Sequence, residues 1–393
     1  MEKKNDFPFQ RIVFGGGEGG GKSTALLEIL ELLIKIGYTP LLMPEIATQL
    51  FNMQIDFRSG SISLVEFQDS VVETTLALEK QLVKNAKRMY RNGKKPIVIY
   101  DRGLADSQIF ISKDDYDQLL DKYNLTHDQV LTRYDAVFHM VTAADGAEEF
   151  YQSHGSRHQT PQQARDNDRA LRKVWMGNQH FRLIPNPKTG WEGKLAHLKR
   201  EILSFLGEPV PLERERKFLI PLSDLKKLKE TESCHVLGIE QKYLLQDIAG
   251  EGFSKPRLRK LISLANDKET DLAYFLTKKR DTDNPEVRIE HSERLLKESY
   301  YAFEQLQVKD SKTIRKNRHF TLDHGKYFEI DHFLSLKLPE HENLPGIETA
   351  LLEIELVDSE TEEIRAPHWI SRWVEVTDDP RYKNESLALS KNF

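Results

Sequence analysis

The 393-residue sequence predicts two domains of different fold class. The first half predicts an α/β domain with a parallel sheet, because short apolar runs alternate there with helical segments. The second half predicts an α+β domain with an antiparallel sheet or barrel, because its strands alternate charged and apolar side chains. A segment rich in Gly and Pro, residues 207–211, separates the two patterns. We therefore expect domains at residues 1–206 and 212–393.

The first predicted strand and helix flank a glycine-rich segment, GGGEGGGKST at residues 15–24. It contains the complete P-loop pattern Gly16-x-x-x-x-Gly21-Lys22-Ser23. Backbone N–H groups at the start of a helix can bind the phosphates of ATP or GTP, while Lys22 reaches the outer phosphates and Ser23 binds Mg²⁺. A flexible loop without a ligand is the alternative. The predicted nucleotide-binding residues are Gly16, Gly17, Glu18, Gly19, Gly20, Gly21, Lys22, Ser23, Thr24 and Arg157.

Further strands and helices complete a parallel sheet with helices on both faces. Ligands of such sheets bind at the carboxyl ends of the strands, where the glycine-rich loop, Glu45 and Asp101 all fall. The predicted strands are residues 11–14, 39–43, 97–100, 136–141 and 181–184, and the predicted helices include residues 25–36, 64–92 and 193–206.

Two carboxylates at these strand ends are candidate catalytic residues. Asp101 follows an apolar strand and is predicted to hold Mg²⁺, directly or through water. Its alternative role is that of a helix N-cap. Glu45 is predicted to orient or deprotonate an acceptor hydroxyl or to bind a second substrate, and a solvated loop carboxylate is the alternative.

An arginine-rich segment between the last two strands of the first half contains Arg157, Arg165, Arg169 and Arg172. The last three share a helix face because they are spaced four and three residues apart. We expect Arg165 and Arg169 to belong to a lid that clamps the transferring phosphoryl group. A solvated helix face paired with Asp166 and Asp168 is the alternative.

These motifs, with PEIA after the second strand and the IVIYDRG segment, resemble the NadR-like P-loop kinases and ATPases. The resemblance covers residues 10–205 and implies nucleotide binding by an AAA-type ATPase or kinase domain. It leaves open whether the phosphoryl group passes to an acceptor or to water.

The overall composition restricts the class of partner. The formal net charge is −5, which argues against general nucleic-acid binding. Cys234 is the one cysteine, so no intramolecular disulfide forms, which fits a reducing compartment. With no apolar signal region and no bilayer-length apolar run, we expect a cytoplasmic protein, with peripheral membrane attachment left open.

Charged residues in the second half recur on one side of successive strands and are sorted by sign. Solvent exposure is the simplest explanation of such a face. If the strands close into a barrel, however, the face lines its interior, with a basic wall for phosphates and an acidic wall for Mg²⁺ or Mn²⁺. The aligned sets are 213/215/217, 257/259, 274/276/278/280, 288/290, 316/318, 329/331 and 353/355.

The Glu213-x-Glu215-x-Lys217 motif and the later charged strands resemble the CYTH domains, or triphosphate tunnel metalloenzymes, over residues 212–389. The resemblance implies an eight-stranded antiparallel tunnel and metal-dependent hydrolysis of a triphosphate, with Lys217 also catalytic. The implied metal ligands are Glu213, Glu215, Asp331, Glu353 and Glu355, and the implied phosphate-binding residues are Lys217, Arg257, Arg259, Lys278, Arg288 and Arg318.

The order of the two domains resembles the TRPL translocation defect protein family. That resemblance implies a GTP-binding protein of membrane trafficking with affinity for an anionic phospholipid such as phosphatidic acid. Three functions therefore stay open. The first is a two-site protein whose P-loop domain binds a nucleotide and whose tunnel cleaves a triphosphate or binds another polyanion. The second is a regulatory nucleotide switch without turnover, and the third is a small-molecule kinase. The sequence does not choose between ATP and GTP.

Overall fold

A computed structural model describes residues 9–151, 159–208, 212–213, 215–231, 234–250, 252–265, 268–281, 288–356 and 364–389. The chain divides into two compact units, one built on residues 8–199 and the other on residues 200–393. The division falls within the helix Gly190–Leu206. Part of the predicted linker lies outside the described residues, so the predicted boundaries stay a prediction.

The first unit contains a parallel sheet of five strands among the described residues, in the order β2-β3-β1-β4-β5. The predicted parallel α/β sheet is therefore confirmed. Its central strands are fully buried runs, as expected for strands covered on both faces. The strands are β1 Arg11–Gly15, β2 Tyr38–Met43, β3 Lys95–Asp101, β4 Ala136–Met140 and β5 Phe181–Ile184.

The helices of this unit begin and end at recognisable signals. The long helix α3, for example, begins with a capping box in which Ser63 and Glu66 satisfy each other's backbone N–H groups. Gly93 follows its C-terminal end in a left-handed conformation (φ +74°). The helices are α1 Lys22–Lys35, α2 Ile46–Asn52, α3 Leu64–Arg91, α4 Lys113–Lys122, α5 His127–Leu131, α6 Pro161–Val174 and α7 Gly190–Leu206.

The second unit contains an antiparallel sheet in the order β15-β7-β14-β13-β12-β8-β9-β10-β11-β6. Strands β6 and β7 are separated in the chain by residue 214 alone, so one stretch of chain pairs with both β11 and β14. The strands are β6 Leu212–Glu213, β7 Glu215–Pro221, β8 His235–Tyr243, β9 Ser254–Ser263, β10 Thr270–Asp281, β11 Arg288–Leu295, β12 Ile314–Asp323, β13 Lys326–Phe333, β14 Thr349–Glu355 and β15 Val374–Glu375.

One face of this sheet is apolar and packs under two helices, as the alternation predicts. Phe218, Ile330 and Leu352 form a core with α8, and Leu258 and Leu276 form another with α9. These helices are α8 Asp224–Thr231 and α9 Lys297–Glu304, and a last helix, α10 Asn384–Leu389, follows β15.

The opposite face carries the charged residues, and we call it the charged face. It is not solvated: Lys217, Lys316, Asp331 and Glu353 are all less than 9% exposed. Burial of so many charges requires partners, because an unpaired buried charge costs several kcal/mol. The simplest explanation of the alternation, a solvent-exposed face, is therefore wrong for these residues.

None of the helices in the described residues is both long and apolar enough to cross a bilayer.

Candidate functional site

The glycine-rich loop lies at the carboxyl end of β1 and leads into α1. At Gly16 the φ angle is +132° and an added Cβ would lie 2.3 Å from the Met140 carbonyl oxygen. At Gly21 φ is +84° and an added Cβ would lie 2.3 Å from the Trp191 ring. Only glycine fits either position, because a side chain meets both a disfavoured backbone conformation and a steric clash. The two glycines of the motif are thus fixed by geometry.

The Lys22 side chain turns back over this loop. Its Nζ donates hydrogen bonds to the carbonyl oxygens of Gly16 (2.8 Å) and Gly17 (2.9 Å). Burial, and next the positive charge of Arg102, lower the pKa of Lys22 to about 8. The ammonium group therefore lies at the loop with no carboxylate bonded to it among the described residues, as a phosphate ligand requires.

The predicted magnesium ligands Ser23 and Asp101 differ in their surroundings. Ser23 is exposed at the first turn of α1, whereas Asp101 is the last residue of β3. The Oδ1 atom of Asp101 is buried and has no hydrogen-bond partner among the described residues. Burial raises the pKa of Asp101, and the charge of Glu45 raises it further. A buried carboxylate oxygen with no hydrogen-bond partner among the described residues is an oxygen donor of the kind that Mg²⁺ binds. Asp101 is not a helix N-cap, because Gly103 takes that position in the following 3₁₀ turn.

Glu45 and Arg102 form an ion pair next to Asp101. Arg102 adopts a left-handed backbone conformation (φ +73°), which is strained for a residue with a side chain. Its Nε donates to Oε1 of Glu45 at 2.5 Å, and its Nη1 lies 3.4 Å from Oδ2 of Asp106. Burial raises the pKa of Glu45, but Arg102, the Thr48 hydroxyl and Lys22 together lower it below its usual value. Glu45 is thus a partly buried, ionised carboxylate and not a freely solvated one.

A cavity of about 50 Å³ opens beside this ion pair, between the ends of β2 and β3 and the helix α3. Met43, Val71 and Phe110 give it apolar walls. Gln68 also lines it, is 5% exposed and makes no side-chain hydrogen bond within the described residues. The sequence prediction missed Gln68 and Arg102. The position of Arg102 directly after Asp101 is a sequence feature that could have identified it. Gln68 lies inside a long helix, where no sequence feature marks it as a site residue.

The predicted arginine lid is described from residue 159 onward, and Arg157 lies outside the described residues. On α6, Arg165 donates to the Ala144 carbonyl oxygen (2.9 Å), and Arg169 is 57% exposed and 3.7 Å from Asp166. Arg172 is held by Asp145 and Asp168 and points away from solvent. The three arginines therefore do not act as one clamp surface, and the clamp role of Arg165 and Arg169 stays a prediction.

Residues 11–194 match the family model of an AAA domain. The first half of the chain contains a P-loop nucleotide-binding domain. No curated protein matches the chain.

Solved structures give remote similarities. Thymidylate kinase from Ehrlichia chaffeensis is 20% identical with a TM-score of 0.33, over 50% of this chain and 98% of that protein. The PH1012 protein from Pyrococcus horikoshii OT3 is 19% identical with a TM-score of 0.26, over 38% and 80%. The PH1819 protein of the same organism is 18% identical with a TM-score of 0.25, over 38% and 80%. At these values no functional conclusion rests on the structural similarities.

The charged face of the second unit contains a buried network of alternating charges. Lys217 bridges Glu215 (2.8 Å) and Glu353. Arg318 reaches Glu353 (2.6 Å) and Asp331 (2.7 Å) and also contacts Glu329. Burial raises the pKa of Glu353, but Lys217 and Arg318 hold it well below its usual value. The prediction of separate basic and acidic walls is wrong here, because cations and carboxylates interleave across neighbouring strands.

A second part of the charged face is richer in cations. Arg257 pairs with Thr277 and Arg259 with Phe275 across β9 and β10, which puts Lys279 on their face and Lys278 on the other. Glu290 accepts from Lys279 (2.8 Å) and Arg257 (3.2 Å). Burial, and next the charge of Arg257, lower the pKa of Arg259 to about 10. The choice of Lys278 as a phosphate ligand is therefore wrong, and Lys279 is the residue that the register favours.

The predicted metal ligands of this face whose side chains the structure describes do not form a cation site. Among the described residues, no group of three or more His, Cys, Asp and Glu side chains could hold a metal ion. Glu215, Asp331 and Glu353 are each engaged by a lysine or arginine, and Glu355 is exposed. The side chains of Glu213 and Arg288 lie outside the described residues, so their roles stay predictions. The described carboxylates do not fit Mg²⁺ or Mn²⁺ in this arrangement.

Proposed function

We propose that the P-loop domain is a small-molecule kinase that transfers the terminal phosphoryl group of ATP or GTP to a hydroxyl acceptor. The observation that carries this proposal is the cavity at Glu45, which opens at the same sheet edge as the glycine-rich loop. A nucleoside triphosphatase needs only a water position there. A cavity of this size with apolar and polar lining residues favours the hydroxyl-bearing end of a second, organic substrate, with the rest of that molecule outside it.

Each group of the site has a role in this reaction. Backbone N–H groups of the loop and Lys22 bind the phosphates, and Ser23 and Asp101 would hold Mg²⁺, which neutralises charge on the phosphate oxygens. Glu45 orients or deprotonates the acceptor hydroxyl, since it is a carboxylate at the cavity mouth. Arg102 keeps Glu45 ionised and fixed in direction.

The test is nucleotide turnover with and without hydroxyl-bearing acceptors of several chemical classes. ADP or GDP should form only when a suitable acceptor is present. Glu45→Gln should lower kcat by about a hundredfold, the usual size of a general-base contribution, with nucleotide affinity unchanged. Glu31→Gln, on the exposed side of α1, is the matched control. Equal turnover with no acceptor would contradict the kinase proposal and favour an NTPase.

A second candidate function concerns the charged face, which we propose binds a chain of phosphates. The supporting observation is the crowding of Arg257, Arg259 and Lys279 around one described carboxylate, Glu290. A buried arginine whose pKa is lowered to about 10 beside another arginine gains stability when an anion approaches. The connection of β6 to β7 favours a closed tunnel around this ligand.

Inorganic tripolyphosphate is the probe for this second function. It should raise the melting temperature of the full chain, and Arg259→Met should abolish the increase while Arg315→Met, an exposed arginine paired with Glu269, should not. Phosphate release with Mg²⁺ or Mn²⁺ would support the triphosphatase that the sequence predicts. Binding without release would favour the regulatory switch, whose anionic ligand could then be a phospholipid headgroup. No binding at all would contradict the proposal.

A further inference from the structure

Asp168 is a buried carboxylate on α6 that the proposed reaction does not use. Its side chain is 0% exposed, although most of its helix is polar. The Oδ1 atom accepts hydrogen bonds from the backbone N–H groups of Gly17 (3.0 Å) and Thr142 (3.2 Å) and lies 2.9 Å from Nε2 of His139. The Oδ2 atom accepts from Nε of Arg172 at 2.7 Å. One carboxylate thus joins the phosphate loop, the end of β4 and α6.

Asp168 remains ionised in these surroundings. Burial raises its pKa, but His139 and Arg172, together with the Gly17 N–H, hold the pKa well below its usual value. Hydrogen bonds to a charged group are stronger than those to a neutral one. The link between the loop and α6 is therefore a charged one, and removal of the charge is expected to weaken it.

A second hydrogen bond fixes Glu18, the next residue of the loop. The Thr142 hydroxyl donates to the carbonyl oxygen of Glu18 at 2.6 Å. The Thr142 carbonyl in turn accepts from the side-chain amide of Asn186 at 2.7 Å. Asp168 of α6 therefore holds Gly17 and Thr142, just beyond β4, holds Glu18, so two residues of the loop are fixed by the protein before any phosphate arrives.

The loop and α6 are in van der Waals contact at this point. An added Cβ on Gly17 would lie 3.0 Å from Oδ1 and 3.1 Å from Cβ of Asp168. The P-loop pattern leaves this position open to any residue. Close approach of Asp168 therefore gives a physical reason for a glycine that the motif does not require.

We propose that Asp168 is a positioning residue that presets the phosphate loop and transmits its occupancy to α6, the helix that carries Arg165 and Arg169. The inference rests on the proposed nucleotide binding at the P-loop. It adds a mechanical link: movement of Gly17 on phosphate binding changes the position of the carboxylate, and Arg172 and its helix move with it.

The test uses the full chain with a non-hydrolysable ATP or GTP analogue, Mg²⁺ and amide hydrogen exchange. In the wild type, the analogue should slow exchange in both the loop and α6. In Asp168→Asn the affinity should fall by about tenfold, the size expected for one charged hydrogen bond. The analogue should still protect the loop but should no longer protect α6, and kcat should fall more than the affinity does. Asp166→Asn is the matched control, two residues away on the same helix and 57% exposed.

Arg172→Gln keeps Asp168 and its hydrogen bonds to the loop but removes the ion pair between Asp168 and Arg172 of α6. It should also leave the loop protected and α6 unprotected, and it decides the question if Asp168→Asn does not fold. Protection of α6 in both variants, as in the wild type, would overturn the proposal. If the wild-type loop itself gains no protection, and Lys22→Ala behaves identically, the proposed nucleotide binding has failed and the inference fails with it.

Discussion

The P-loop site and the charged face of the second sheet use similar side chains in opposite ways. At the P-loop, Lys22 contacts carbonyl oxygens and one buried oxygen of Asp101 has no hydrogen-bond partner within the described part of the chain, so both charges are left for a ligand. On the charged face, Lys217 and Arg318 are bound to Glu353 and Asp331 of their neighbouring strands. The first site is preorganised for an anion and a cation from solution, whereas the second largely neutralises itself.

Because of this difference, we expect mutations at the P-loop to reduce ligand binding and mutations on the charged face to reduce the stability of the fold. A charge that is held for a ligand can be removed with loss of binding and little loss of stability. A charge that neutralises buried partners cannot be removed without leaving those partners unpaired. The four predictions that follow test the comparison, from the largest expected effect to the smallest.

Arg318→Met should destabilise the second unit by about 3–5 kcal/mol, the usual cost of breaking a buried ion pair from one side. It leaves Asp331 and Glu353 with one fewer cation. Urea unfolding followed by hydrogen exchange in β12–β14 measures the change. Arg315→Met, which removes an exposed arginine, should cost less than about 1 kcal/mol. Equal effects of the two substitutions would mean that the network is not stabilising.

Lys22→Ala should weaken ATP or GTP binding about a hundredfold, because it removes the charged hydrogen-bond donor to the outer phosphates. Its melting temperature without nucleotide should fall only slightly, since the loss is two hydrogen bonds to loop carbonyls and no described carboxylate loses a partner. Calorimetric titration and thermal shift measure the two quantities. Lys35→Ala, at the exposed end of α1, controls for loss of positive charge. Unchanged affinity would remove Lys22 from the site.

Nucleotide affinity should fall as the pH rises above about 8, the value to which burial and Arg102 lower the pKa of Lys22. Phosphate favours the charged ammonium, so the bound pKa is higher and binding takes up a proton between the two values. The dissociation constant should then rise by up to about tenfold per pH unit. Isothermal titration in buffers of different ionisation heat measures the proton uptake. Lys22→Ala should lack it, and uptake in that variant would assign the proton to another group.

Arg169→Ala should change nucleotide affinity by less than about twofold, because its ion pair with Asp166 is exposed and long (3.7 Å). The affinity and kcat of this variant and of Arg165→Ala are the quantities to compare. A fall in kcat of about tenfold or more with constant affinity would support the predicted clamp on developing charge. No change in either quantity would mean that Arg169 belongs to a solvated helix face.

Local patterns predicted the elements around the P-loop site closely. The predicted strand 97–100 lies within Lys95–Asp101, and the predicted helix 64–92 extends one residue beyond Leu64–Arg91. Both follow from hydrophobic periodicity, which depends on residues near in sequence. Asp101 and Glu45 are predicted as site residues for the same reason, because the end of a buried strand is visible in the sequence and marks the ligand edge of a parallel sheet.

The alternation in the second half predicted which residues share a face of a strand. It did not predict which of the two faces packs in the apolar core and which belongs to the charged face. On β10 both faces carry lysine, at positions 278 and 279. The choice is made by Leu276, which packs in the core with Leu258 and Tyr300 and so turns Lys278 to the apolar side. Packing against another element decided this, and periodicity within one strand contains no such information.

The sequence by itself determined the phosphate loop, the parallel sheet that presents it and the existence of a charged strand face, because each depends on spacing within one segment. Tertiary structure alone decided which charges meet. Asp168 binds Gly17 across 151 residues of chain, and Arg318 binds Glu353 through the register of three strands. Such pairs depend on distances in space, and the energy of a buried charge depends on its nearest partner, so no pattern of residue types along the chain specifies them.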